Sequence, residues 1–252
     1  MRISLGLILA VGILVGSGAC SAQEMASGEA LVRGMHERYE GAWYATVKFT
    51  QKSTTYNPDG TTKVETWYEA AKLPGKLRID FGEPSNGNAA ILSDGTAFFF
   101  KDGKPSGTRP YLNMLLVLGF DVYRQPADVT IGQLKQEGFD LTKIHEEMWQ
   151  GEPAYVVGAE KGDLKAKQFW VEKKRLLFVR IIEPDRKDAS KMSDTRFVDY
   201  RPLGKAVIAA RVEVHQEEKL IFSEDYSEMQ VDVKLDPAMF DPQRFAPPAE
   251  KK

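Results

Sequence analysis

Between positions 45 and 101 apolar and polar residues alternate in short runs, each closed by a turn signal. Residues 45–56 and 61–71 are the long runs, joined by Asn57-Pro58-Asp59-Gly60. Pro at the second place and Gly at the fourth suit a type I turn. Residues 76–81, 90–93 and 97–101 follow, separated by Leu73-Pro74-Gly75, Asn86-Gly87-Asn88 and Asp94-Gly95. Amphipathic strands with turns at this spacing predict an antiparallel meander. Ala45, Val47 and Phe49 share one face of the first strand. Val64, Thr66, Tyr68 and Ala70 are read as the apolar face of the second, against Glu65, Trp67 and Glu69. Leu77, Ile79 and Phe81 alternate with Lys76, Arg78 and Asp80 in the third.

Further on, residues 141–149, 154–158, 167–173, 176–184, 193–201, 206–215 and 219–233 repeat the pattern and predict a second meander. A twisted sheet of this many strands must curl. Two stretches have a different period. Leu31, Met35, Tyr39 and Trp43 recur every four residues, which predicts an amphipathic helix capped by Ser27. Residues 111–120 are nearly all apolar, with Pro110 placed to open a helix and Gly119 to end it. A helix apolar all round is buried or lines a greasy cavity. A more polar helical stretch is expected between Pro126 and Gly138, and a last helical turn in residues 235–245. The expected organisation is one domain over residues 27–245 with a polar tail at 246–252.

The first residues read as an export signal. Arg2 precedes an apolar run from Ile3 to Val15 and the small residues Gly16-Ser17-Gly18-Ala19. Cys20 is the single cysteine, so no internal disulfide is available. Two processing readings stay open. In one, cleavage precedes Cys20 (signal 1–19) and its thiol is lipidated, which would anchor the protein to the outer membrane. In the other, the signal is residues 1–22 and Cys20 is removed. Either way the chain is expected in the periplasm.

The 252 residues carry 42% hydrophobic and 28% charged side chains, with a net charge of -2. That is enough to bury a sizeable core, and it offers no electrostatic reason to bind nucleic acid. His36, His145 and His215 stand in unrelated contexts with no second histidine or cysteine at i+2 or i+4. There is no Gly-x-Ser-x-Gly and no glycine-rich phosphate loop. No catalytic residue, metal or cofactor is therefore expected.

Holding a lipid tail needs only a dry concave wall, at about 0.8 kcal/mol per buried methylene. Val47, Phe49, Tyr68, Leu77, Ile79, Phe169 and Val171 are candidates because each is read on the apolar face of its strand. Leu115, Leu116 and Leu118 are candidates from the apolar helix. The competing reading makes the same residues a solid core.

Four segments resemble the periplasmic lipoprotein carriers (LolA) and their relatives. Phe49-Thr50-Gln51 is similar to the family's F-T-Q strand. Residues 72–78 (KLPGKLR) and 92–100 (LSDGTAFFF) look like its two hairpins, and residues 235–240 (LDPAMF) like its closing turn. The resemblance implies an unclosed half-barrel of about eleven antiparallel strands with lid helices over the mouth. It equates residues 31–43 and 111–120 with those lids. It also implies a non-enzymatic, monomeric carrier or receptor of lipoprotein acyl chains or other lipids, working with inner- or outer-membrane transport partners. A stress-sensing or interaction module on the same fold is the alternative. Leu73 stands where the carriers place the arginine that holds the lid, and the second half of the chain is longer, so a divergent relative is expected.

Overall fold

The computed structural model describes residues 25–186 and 188–247. The signal segment, Cys20 and most of the expected tail lie outside the described residues. Thirteen strands form one antiparallel sheet. The first meander is β1 (Thr46–Tyr56), β2 (Thr62–Lys72), β3 (Lys76–Phe81), β4 (Ala89–Ser93), β5 (Thr96–Lys101) and β6 (Lys104–Pro110). The second is β7 (Ile144–Trp149), β8 (Glu152–Val157), β9 (Gln168–Glu172), β10 (Leu177–Pro184), β11 (Met192–Leu203), β12 (Ala206–Gln216) and β13 (Lys219–Val231). They are joined side by side by β1 pairing with β13, which leaves β6 and β7 as the two edges. The sheet curls without closing, as the half-barrel expectation holds, but with 13 strands rather than about eleven.

β6 is the strand that alternation could not reveal. Its Lys-Pro-Ser-Gly-Thr-Arg-Pro sequence is exposed throughout. An exposed edge carrying lysine, two prolines and a register shift against β5 is poorly suited to pairing with another chain. Pro110 ends this strand and does not open a helix. The apolar helix is accordingly shorter than expected. Asn113 caps it by accepting from the Leu115 and Leu116 N–H groups, and α2 runs only over Met114–Gly119.

The helices lie across the concave face. α1 (Gly28–Tyr39) is capped by Ser27, whose Oγ accepts from Ala30 N–H at 3.1 Å. It buries Leu31, Val32 and Met35, and Trp43 follows it as a separate buried anchor. α3 (Ala127–Gln136) buries Thr130, Ile131 and Leu134 and is tied to α1 by Arg33–Asp128 and Lys135–Glu29 ion pairs, both 2.7 Å. The final segment forms 3₁₀ turns at Pro237–Phe240 and Pro242–Arg244. It lies on the outer face, where Phe245 stacks on Phe100 at 3.9 Å and beneath the buried Arg78–Asp80 pair.

The second half has a dense interior. Trp43 packs against Tyr123 at 4.0 Å, and Tyr39 meets the same ring edge-on at 5.1 Å. Phe178 N–H donates to Tyr123 Oη at 2.9 Å, and Tyr200 Oη donates to the Phe178 carbonyl. Phe139 meets Phe169, and Phe178 meets Phe197. On the outer face Arg180 is stacked between Trp149 and Trp170 while it pairs with Asp194 at 2.7 and 2.8 Å. Arg196 reaches the same carboxylate at 2.6 Å. Burial pushes Asp194 up, but the two guanidiniums outweigh it and hold the carboxyl below its usual range.

Removing one partner from a buried ion pair leaves an uncompensated charge. Asp194→Ala is therefore expected to cost about 3 kcal/mol in chemical denaturation, against less than about 1 kcal/mol for the exposed Asp128→Ala. Equal costs would show that the outer-face cluster does not support the sheet.

Candidate functional site

The site lies between α2 and the concave face of β1, β2, β3 and β13. A cavity of about 90 Å³ is lined there by Val47, Phe49, Leu77, Ile79, Leu115 and Leu116, with Ala71, Phe120 and Phe197 completing the apolar wall. Six of the ten lipid-site residues expected from the sequence are thus brought together. Phe49 stacks on Tyr226 at 4.3 Å, which stiffens the floor.

The other four lie elsewhere. Phe169, Val171 and Leu118 are fully buried in the solid core, the outcome that the competing reading describes. Tyr68 requires a correction. The register pairs Val47 with Ala71, Phe49 with Glu69 and Gln51 with Trp67. The inward set of β2 is therefore Glu65, Trp67, Glu69 and Ala71, and Tyr68 points outward beside Arg78 and Asp80 in a groove of about 960 Å³. The alternation in β2 therefore runs in the opposite phase to the one its sequence predicts. Its inward row holds two glutamates, whereas Val64 is 53% exposed.

That phase gives the cavity a polar end. Glu69 and Glu224 both line it, as do Trp67, Tyr226 and the capping Asn113. Tyr226 Oη donates to Glu224 Oε2 at 2.6 Å. Burial is the main reason both carboxyls are pushed up, Glu224 to about 7 and Glu69 well above its usual range. Repulsion from Glu224 raises Glu69 further. Period two places Gln51 on the face of Val47 and Phe49, so this row was available to sequence reasoning. Glutamate is ordinarily an outward residue, so the composition of the row conceals its direction.

Two features control how closely α2 sits on the sheet. A Cβ on Gly119 would lie 2.9 Å from Phe197, so glycine lets the end of the helix approach that ring. Just after α2, the buried Asp121 carboxylate accepts from Gly75 N–H with both oxygens at 3.1 Å. Leu73, in the position of the carriers' arginine, is itself buried. In this chain the lid segment is therefore tied to the β2–β3 hairpin through Asp121. Burial pushes that carboxyl up to about 7, against lowering by the Gly75 hydrogen bond. A second cleft, of about 720 Å³, lies on the other side of α2 along Pro74, Gly75, Arg109 and Tyr111. Asn113 and Leu116 line both spaces, so α2 is the wall between them.

No family model matches the chain, and no curated protein matches it. Solved structures do. A DUF1329 family protein from Desulfovibrio piger shares 17% identity, with a TM-score of 0.57 over 87% of this chain and 98% of its own. A LolA superfamily protein from Nitrosomonas europaea shares 14% identity, with a TM-score of 0.52 over 83% of this chain and 96% of its own. A protein described as an outer membrane lipoprotein-sorting protein domain, from Vibrio parahaemolyticus, gives 15%, 0.53, 86% and 97%. The chain has the LolA-like fold. Within that fold, α2 and the segment after it occupy the mouth of the half-barrel. Among the described residues no helix is long and apolar enough to cross a membrane, and no three metal-ligating side chains converge.

An acid whose folded pKa is raised contributes stability below its unfolded value, and this is lost as pH rises through the folded value. For Asp121 that window runs from 3.8 to about 7. Asp121→Asn keeps an acceptor for Gly75 N–H and removes the charge. Its unfolding free energy in chemical denaturation should gain on the wild type progressively between about pH 4 and pH 7, by a few kcal/mol in all. A gap between the two proteins that does not change with pH would show that Asp121 is not held protonated by burial.

Proposed function

We propose that the protein is a non-enzymatic, exported binder of lipid or lipoprotein acyl chains, which enter the cavity beneath α2. The supporting observation is that α2 alone divides an apolar cavity from a much larger cleft. At about 90 Å³ the cavity is smaller than the roughly 150 Å³ that admits a benzene. A long acyl chain therefore requires α2 to move aside, which would merge the cavity with the 720 Å³ cleft. The total then falls in the roughly 300–1,000 Å³ range of ligand sites. Neither lipid capture nor release needs a covalent step. The likeness to a lipoprotein-sorting domain supports a carrier-like or receptor-like role in the periplasm, as a monomer that exchanges cargo with membrane-bound partners. Lipidation at Cys20 would make it a membrane-anchored receptor.

The solid second half favours a second reading, in which the same fold acts as an envelope interaction or stress-sensing module without cargo transfer. Native mass spectrometry of protein purified from an envelope fraction separates the two. Co-purifying lipid is expected, and Ala71→Phe, which fills the cavity, should abolish it at a cost of about 1–3 kcal/mol in stability. Repeated lipid-free preparations of folded wild type, with a protein partner retained after delipidation, would overturn the carrier reading.

A further inference from the structure

We propose that Arg109 and Arg186, seated on the ring of Tyr111, form a headgroup subsite for a phosphate carried on an alkyl chain. The inference rests on the reading of the space beneath α2 as a lipid site, and it names the head of the molecule whose tail enters there.

All three side chains line the 720 Å³ cleft on the far side of α2. Arg109 belongs to the edge strand β6, Tyr111 follows that strand, and Arg186 follows β10. The Arg109 guanidinium carbon lies 5.2 Å from the centre of the Tyr111 ring, and that of Arg186 lies 4.3 Å from it. Segments far apart in the chain thus bring two positive charges to one ring. Like charges so placed repel, and a bound anion removes the repulsion. Both arginines are exposed and turn on their stems, so the oxygens of one phosphate can meet both.

A contrast within the molecule separates this pair from its structural arginines. Arg78, Arg175, Arg180 and Arg196 also lie over aromatic rings, and each of them is paired with a carboxylate. Among the described residues, Arg109 and Arg186 are the arginines on aromatic rings that lack such a partner. The acids of the cleft are engaged otherwise. Asp121 accepts from Gly75 N–H, Asp94 Oδ2 accepts from Ser93 Oγ at 3.0 Å, and Glu137 faces Lys167 at 3.6 Å. The cleft therefore offers two uncompensated guanidiniums, each a planar fork that fits the oxygens of a phosphate.

The same segment leads from head to tail. Four residues beyond Arg109, within about 14 Å along the chain, Asn113 lines both the cleft and the cavity. Its Oδ1 is occupied by the N–H groups that it caps. Its Nδ2 has no partner among the described residues, and it can donate to an ester or hydroxyl oxygen between head and tail. Leu115 and Leu116 follow on the cavity wall and would meet the alkyl chain.

Calorimetric titration at neutral pH with decyl phosphate, decanol, decanoate and inorganic phosphate, below micelle formation, tests the subsite on wild type and on Arg109→Gln/Arg186→Gln. The wild type is expected to bind decyl phosphate at least about tenfold more tightly than decanol, with decanoate between them and inorganic phosphate weakest. Both substitutions are at exposed positions, so the double variant should fold. In it decyl phosphate should fall to the affinity of decanol. Arg109→Lys/Arg186→Lys keeps the charges and loses the forks, and it should keep part of the preference. Equal affinities for decyl phosphate and decanol in the wild type, or a preference that survives in the glutamine variant, would overturn the subsite while leaving an alkyl-binding cavity. Decanoate binding as tightly as decyl phosphate would overturn the assignment to phosphate. Inorganic phosphate binding as tightly would assign the anion to free phosphate and overturn its link to a lipid. Failure of all three alkyl ligands would overturn the lipid reading together with the subsite.

Discussion

The pairing of β1 with β13 governs the architecture. It joins the first and last strands of the sheet in its middle, over eight aligned residue pairs interrupted by one register shift. Consequently the strands that end the two meanders, β6 and β7, become the free edges. The chain between them must then cross from one edge to the other. It does so over the concave face, because only there can Met114, Leu116, Val117 and Leu118 be buried. The lid is thus a consequence of topology as much as of its own sequence. A six-residue helix has little stability of its own and takes it from packing.

The two halves of the mouth are filled differently. Beneath α1 and α3 the aromatic rings of Tyr39, Trp43 and Tyr123 interlock and exchange hydrogen bonds with Phe178 and Arg175. These large planar groups fill the space, and the hydrogen-bonded tips of Tyr39 and Tyr123 fix one arrangement, although Trp43 Nε1 has no partner among the described residues. Beneath α2 the covering residues are leucines without polar atoms, and the end of the helix is tied to the sheet by the Gly75–Asp121 contact. Leucine side chains change rotamer without breaking hydrogen bonds, so this is the part of the mouth that can open at least cost.

Buried acids mark the same region. Asp121 holds the lid, and Glu69 and Glu224 face the cavity, and all three are pushed up by burial. Elsewhere buried charges are paired, as Arg78 is with Asp80 and Arg180 with Asp194. Paired charges support structure, whereas unpaired acids beside a cavity reduce stability and are tolerated where something is bound. This contrast separates the candidate site from the rest of the molecule more sharply than hydrophobicity does.

The half-barrel, the Ser27 cap and the Asn57–Gly60 turn, closed by Gly60 N–H on the Asn57 carbonyl at 3.0 Å, were legible because each depends on local rules of period and turn chemistry. The convergence of Val47, Phe49, Leu77 and Ile79 was legible for the same reason, since residues two apart share a face. Local rules do not say which face turns inward when a strand is ambiguous. In β2 the pairing with β1 decided it, turning Glu69 in and Tyr68 out. Nor do they mark a strand such as β6, whose residues bury nothing and which is held by backbone hydrogen bonds to β5. Sequence by itself determined the strands other than β6 and where they turn, because those are short-range preferences. Tertiary structure alone decided that one end of the mouth is solid, the other hollow and acid-lined, because that depends on which side chains meet across strands far apart in the chain.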